Sequence, residues 1–360
     1  MIKKYENYLI KLFIKNILII SIIFIFISFL LNIFEEIKFA ENYNKSFFYP
    51  VILTFLNIPS IVFEILPFIF LISSMFFYIN LYDKEEIELL RTNGVNNSKI
   101  TLVVAVTSII LGVFLIIIYY SLSASLKNIY LNLKYKYTET NNHLAVVNES
   151  GLWIKEKIGN SIFIINANSF NKNDLENITI SQLDNDYKPI NTIISKNANI
   201  EKRKWMLNDV KIISEKGKND INYKQYTYVS SFNGEIISNL YSNLNSLNII
   251  ELHKLKKNYN SIGYSITEVK LHLNKLYSLP IYLTLTTIIG SLLMFRLNYI
   301  KSKFFLVMIG VLVSVVFYYI NYFSVLFGKN ETFPAEISVW LPQLLILLIC
   351  SLGLLRLNES

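Results

Sequence analysis

Six long apolar runs stand out along the chain: Asn16–Phe34, Ile61–Leu81, Leu102–Leu122, Leu279–Phe295, Phe304–Val325 and Ile337–Leu355. Each approaches the roughly 20 residues that an α-helix needs to cross a hydrocarbon layer of about 30 Å. The first run is longer than the apolar core of a secretory signal and lacks a small-residue cleavage site, so it predicts a retained helix. A polar block, Leu126–Leu276, separates the first three runs from the last three. The pattern predicts an α-helical integral membrane protein with six transmembrane helices. These fall in residues 1–125 and 277–360, around a domain inserted over residues 126–276.

Inside the polar block the hydrophobic period changes to two. Leu152-Trp-Ile-Lys155, the turn Gly159-Asn160 and Ser161-Ile-Phe-Ile-Ile165 predict a β-hairpin. Leu175–Leu183, Ile193–Glu201, Trp205–Ile213 and Tyr223–Ser230 predict further strands. Asp184–Pro189 carries turn chemistry, and Lys202-Arg203-Lys204 forms a short basic turn. Strands at this spacing predict a sandwich or jelly roll. Ser246–Tyr259 then reads as a helix, with Ser246 as a candidate N-cap.

Between the second and third runs lies Asp83-Lys-Glu-Glu-Ile-Glu-Leu-Leu-Arg-Thr-Asn-Gly94. It predicts one short helix over residues 83–93. Asp83 is the candidate N-cap, with Glu86 completing a capping-box-like pair. Lys84 and Glu88 have i,i+4 spacing, and Gly94 is placed for a left-handed C-cap. The segment is either a well-capped connector or a docking helix, with Ile87, Leu89 and Leu90 as apolar knobs.

Loop lysines and arginines set the orientation. Lys3, Lys4, Lys11 and Lys15 at the N-terminus, and Arg296, Lys301 and Lys303 after the fourth run, place both regions in the cytoplasm. With six spans both termini are cytoplasmic and the insert is outside, which in a double-membrane bacterium is the periplasm. Hydrophobic residues make up 53% of the chain and charged residues 17%, against about 25% charged in a soluble globule. The net charge of +8 first suggests nucleic acid or anionic lipid. Residues 126–276 hold 20 basic and 14 acidic residues, so most of the excess sits in the outer insert. That placement, in a chain rich in Ile, Asn, Lys, Tyr and Phe, fits codon bias better than nucleic-acid binding.

Few positions carry chemistry. Cys350 alone excludes an intramolecular disulfide, and His143, His253 and His272 lack metal-ligand spacing. No phosphate-binding loop, nucleophile elbow or zinc-protease motif occurs. Glu64 is the one formally charged residue inside a predicted span; it either serves an interfacial or helix-pairing role or marks a substrate or proton site. Lys38 and Lys45, beyond the first span, either snorkel to the headgroups or meet phosphates as point charges. Trp153 and Trp205 read as core anchors of the β-domain. Trp340, between Pro334 and Pro342, fits the aromatic belt.

Several of these segments, taken in order, resemble the LptF/LptG permeases of the lipopolysaccharide exporter. They are Ile58-Pro59 with Leu66-Pro67, Glu86-Ile-Glu-Leu-Leu-Arg-Thr-Asn-Gly94, Gly151-Leu-Trp153, Trp205-Met-Leu-Asn-Asp-Val210, Leu271–Pro280 and Trp340-Leu-Pro342. The resemblance covers essentially the whole chain. Thr92-Asn93 departs from the small residues often found before the family's glycine. Gly151-Leu-Trp153 and the Ser246–Tyr259 helix look more like the LptG branch.

The resemblance implies a permease subunit with no catalytic residue, metal or bound cofactor of its own. It implies a paralogous LptF partner and a cytoplasmic LptB dimer that hydrolyses ATP. It also implies coupling through Asp83, Glu86, Ile87, Leu89, Leu90 and Gly94. Lipopolysaccharide is then extracted from the inner membrane, with Lys38, Lys45 and Glu64 as candidate contacts, and passed through periplasmic jelly rolls to LptC and LptA. Three rivals remain: another ABC-type lipid or lipoprotein-release permease, an integral-membrane transferase, and a membrane-anchored β-domain scaffold. The three-plus-three layout counts against the first. Scattered charges count against the second. The capped short helix is a feature the third does not need.

Overall fold

The structure, a computed structural model, describes residues 4–46, 48–135, 152–158, 161–171, 173–184, 187–214, 221–234, 237, 243–261, 265–295 and 302–359. Lys3, His143, Gly151, the Gly159-Asn160 turn, Arg296 and Lys301 lie outside them. The chain divides into two compact units, Met1–Lys127 with Thr267–Ser360, and Asn128–Ile266.

The first unit is helical. Helix α1, Lys4–Asn42, runs without interruption for roughly 58 Å at 1.5 Å per residue. It therefore extends well past Phe34, where the apolar run ends, and Glu35, Glu36 and Lys38 are helical residues rather than loop residues. The helix closes at Asn44 (φ 49°), where the Lys45 amide donates to the Ala40 carbonyl (2.9 Å) and the Asn44 amide to that of Glu41 (3.2 Å). This pair of bonds is a Schellman closure.

The second apolar run is not one helix. It is divided between α2, Phe48–Glu64, and α3, Leu66–Asp83. Pro67 lacks an amide hydrogen and sits in the first turn of α3, where no intrahelical donor is needed. Glu64 thus ends α2 at the break, exposed, and is not inside a span.

Two further elements, α4 (Glu86–Thr92) and α5 (Asn97–Phe114), follow. A π-helical turn, Leu115–Tyr120, links α5 to α6, Ser121–Tyr135. The second unit contributes α7 (Ile249–Ser261), and the first resumes with α8 (Thr267–Met294), α9 (Lys303–Lys329) and α10 (Ala335–Glu359). By length and composition six helices can cross a membrane: Lys4–Asn42, Leu66–Asp83, Asn97–Lys134, Thr267–Met294, Lys303–Lys329 and Ala335–Leu355.

Among these, α3 and α8 are the central pair and α5 also packs on α8. Small residues permit the approach. A β-carbon added at Gly290 of α8 would lie 2.7 Å from the Leu71 carbonyl oxygen of α3, and one at Gly112 of α5 would lie 2.7 Å from the Pro280 Cα.

The second unit holds six strands: β1 (Leu152–Ile158), β2 (Ser161–Asn171), β3 (Asp174–Leu183), β4 (Pro189–Asn199), β5 (Lys204–Ser214) and β6 (Ile221–Val229). They form one antiparallel sheet in sequence order, so an inserted β-domain is present as expected and its described strands form a single meander. Direct pairing lapses at Asn168, Asn177, Lys196, Asp209 and Lys224, a line across β2 to β6. Asn177 and Asp209 there adopt left-handed φ values of 50° and 52°, which Asn and Asp tolerate best among non-glycine residues. The Ser195 hydroxyl bridges the line, reaching the Asn208 carbonyl (2.6 Å) and the Asn197 carbonyl (3.0 Å).

One face of the sheet is the core, built on Ile165, Leu175, Ile178, Ile180, Trp205 and Leu207. Trp205 is fully buried and donates its indole N–H to the Phe232 carbonyl (2.9 Å). Trp153 is 57% exposed, against the expectation that it anchors the core. Strand alternation explains the difference: Leu152, Ile154 and Glu156 point inward, so Trp153 and Lys155 must point outward.

Before α7, Ser246 ends a short 3-10 turn rather than capping the helix. The cap is Asn248, whose Oδ1 accepts from the Glu251 amide (2.9 Å) while the Asn248 amide donates to the Glu251 carboxylate (2.8 Å). That reciprocal pair is a capping box.

Candidate functional site

At one end of the helical unit the chain turns from α3 into α4 through Lys84 and Glu85. Glu85 has a left-handed φ of 56° and fills the N-cap position without a side-chain bond. Asp83 is therefore the last residue of α3 and not the N-cap. Its carboxylate instead forms an ion pair with Lys303 at the start of α9. The Lys84–Glu88 pair is replaced by Lys84–Glu86 at 3.9 Å, because the turn brings Lys84 toward the first residue of α4. Glu86 accepts from the Tyr8 phenol of α1 at 2.7–2.8 Å.

The C-terminal closure of α4 agrees with its sequence. Gly94 has φ +78°, its amide donates to the Arg91 carbonyl (2.9 Å), and the Val95 amide donates to that of Leu90 (3.0 Å). This is again a Schellman closure, with Val95 buried beneath it. The Arg91 Nε–H donates to Asn97 Oδ1 (3.1 Å) and the Lys99 ammonium to the Gly94 carbonyl (3.2 Å), which fix the loop into α5.

Burial divides the three apolar residues of α4. Ile87 is 1% exposed within the core that holds Tyr78, Leu81 and Ile100. Leu90 packs partly on that core. Leu89 is 64% exposed. The structure therefore corrects Ile87 from a docking knob to an anchor, and leaves Leu89 as the apolar residue that α4 presents outward. Helical spacing is the reason, since a helix of seven residues cannot turn both Ile87 and Leu89 to one side.

At the other end of this unit, Lys38 is exposed near the end of α1 and Lys45 is half-buried just past it. Glu64 is within electrostatic reach of Lys275 in α8. Ion pairs link the helix ends there: Lys329–Glu268 at 3.2 Å and Lys270–Glu336 at 3.6 Å. Tyr120, on the π-helical turn, is hydrogen-bonded to His272 Nε2 (2.9 Å).

The buried polar residues of α1 escape a reading based on charge-free runs. Asn16, Ser28, Asn32 and Glu36 are all buried on its packed face. Asn16 accepts from Asn80 (2.9 Å), and Asn32 accepts from Asn57 (3.3 Å), whose own oxygen accepts from Lys127 (2.5 Å). Glu36, with no exposed surface, is a buried carboxylate of α1, whereas Glu64, expected inside the second span, is exposed at the end of α2. The i,i+4 recurrence of Ser28, Asn32 and Glu36 was the available signal.

Among the described residues, no group of three or more His, Cys, Asp or Glu is placed to hold a metal. The site is thus a short helix anchored on one face and open on the other, joined to two spans by polar contacts. Such an arrangement can transmit force but shows no set of catalytic groups. Among curated proteins none matches the chain. A family model described as lipopolysaccharide export system permease LptF/LptG matches residues 7–356, and the chain belongs to that family of multi-pass lipopolysaccharide export permeases.

Proposed function

We propose that the chain is an LptG-type subunit that pairs with an LptF paralogue and docks an LptB ATPase dimer on the outward face of α4. The observation that carries this reading is the division of α4, with Ile87 anchored in the core and Leu89 open to a partner. Lysines near the start of α1 and Lys303 at the start of α9 support a cytoplasmic position for that end and for both termini. On this reading the chain binds no cofactor, and ATP is used by the partner. The second unit, Asn128–Ile266, is periplasmic and hands lipopolysaccharide to LptC and LptA. Gly151-Leu-Trp153 and the helix leading to Tyr259 support LptG over LptF.

Purification in mild detergent tests the assembly. The expected result is co-recovery of an ATPase dimer and a second, similar permease; a lone homo-oligomer without ATPase overturns it.

Lys38 and Lys45, close to the C-terminus of α1, are proposed contacts for substrate phosphates, with Glu64 a candidate on the same side. A cation at a helix C-terminus is favoured by the helix dipole. Reversing both charges (Lys38→Glu with Lys45→Glu) is expected to abolish stimulation of the ATPase by lipopolysaccharide while sparing assembly. Wild-type stimulation in that variant removes both lysines from substrate binding.

A further inference from the structure

The joint between α3 and α4 is tied on each flank to a different span. Before it, Asp83 pairs with Lys303, 220 residues away at the first turn of α9. After it, Glu86 accepts from Tyr8, 78 residues away in the second turn of α1. The apolar anchors Ile87, Leu90 and Val95 hold α4 on the core of the helical unit, beside α3. That core also takes in Leu9 and Phe13 of α1 and Leu306 of α9, and the two polar contacts add directional ties from the joint to those same helices.

We propose that Tyr8 and Lys303 are positioning residues that deliver movement of α4 to the first and fifth spans, through Tyr8–Glu86 and Lys303–Asp83. The proposal rests on the reading that α4 receives the ATPase. A displacement of α4 that carries the Asp83–Glu86 joint with it moves both carboxylates. Two independent links then convert one local movement into displacements of two spans. The bonds suit this use. Both acceptors are carboxylates, and hydrogen bonds to ionised groups are about twice as strong as neutral ones. A bound ATPase that covers this end would exclude water and strengthen them further. Tyr8 is 41% exposed and the Lys303 side chain 46%. Neither is a core residue, so each can lose its polar tip without opening a cavity.

The test uses the full permease–ATPase complex in lipid, with Tyr8→Phe, Lys303→Met and the double variant. Each keeps the stem of the side chain and removes the bonding group. ATPase retention, ATP hydrolysis and thermal stability are expected to stay within about twofold of wild type, the range of exposed polar contacts. Lipopolysaccharide released per ATP is expected to fall about fivefold or more in the double variant, the lower range of measured couplings between sites. Exchanging the charges (Asp83→Lys with Lys303→Asp) is expected to restore release above that of Lys303→Asp alone. Wild-type release per ATP in the double variant overturns the proposal and leaves docking on α4 intact. Loss of ATPase retention in the double variant also overturns it, by making these residues part of the docking surface. A wild-type complex that never retains an ATPase removes the docking reading itself.

Discussion

Replacing Glu156 with leucine is expected to unfold the β-unit while the helical unit keeps its structure. Glu156 lies on β1 and is 3% exposed. Its carboxylate accepts from the Tyr228 phenol (2.5 Å), the Ser230 hydroxyl (3.0 Å) and the Ser231 amide (2.9 Å). β1 and β6 are the two ends of the sheet order, yet this one side chain on β1 collects donors from the end of β6 and the residues after it. The sheet must therefore be rolled so that its edges meet at Glu156. Tyr228 completes the closure, with its ring 5.7 Å from both Phe163 and Trp205. Leucine supplies volume but no acceptor, and leaves three donors without their partner. Breaking a buried charged network from one side costs about 3–5 kcal/mol, a large share of the roughly 5–15 kcal/mol that holds a domain folded. Glu156→Gln keeps one acceptor oxygen and is expected to cost about half as much.

The same network predicts an alkaline limit. Burial first, then the charge of Glu156 and its hydrogen bond, push the Tyr228 phenol above its ordinary value of 10. A group with a raised folded-state pKa keeps more protons folded than unfolded. Its contribution is complete below pH 10 and is lost as pH rises beyond that. Trp205 fluorescence in the full chain, followed between about pH 8 and 12 around the phenol's reference value, reports the change. A β-unit of Glu156→Leu that melts like wild type would show that the closure at Glu156 contributes little.

What could be read along the chain depended on how local its cause was. Apolar length located six membrane-spanning helices, and alternation located six strands, because each needs only a repeat. The period also held the answer to Trp153, which shares its parity with Lys155 and could not face the core beside Ile154. The break at Ile65 was signalled by Pro67. The cap of α7 was present as Asn248-Ile-Ile-Glu251 but lay two residues past the serine chosen. By contrast, no local rule joins Tyr8 to Glu86 or Glu156 to Tyr228. Those pairs depend on how the helices assemble and how the sheet rolls. A buried carboxylate is conspicuous only if its helix is bounded correctly, and a helix ended at Phe34 leaves Glu36 outside it.

Leu89→Asp and Ile87→Asp, two residues apart on α4, are expected to fail in opposite ways. Leu89 is mostly solvent-facing, so an aspartate there costs the isolated permease little, within about 0.5 kcal/mol for a surface change. It does place a carboxylate in the centre of the proposed ATPase contact. Loss of an interface anchor typically costs about 2 kcal/mol or more, roughly thirtyfold in affinity, so the ATPase should dissociate during purification while the membrane unit melts as wild type. Ile87 is enclosed in the core of the helical unit. A carboxylate buried there without a partner costs several kcal/mol, so the expected loss is of α4 itself, with a lower melting temperature before any partner is added. Measuring detergent melting and ATPase retention on both variants separates an anchor from a contact. If Leu89→Asp retains the ATPase like wild type, the outward face of α4 is not where the partner binds.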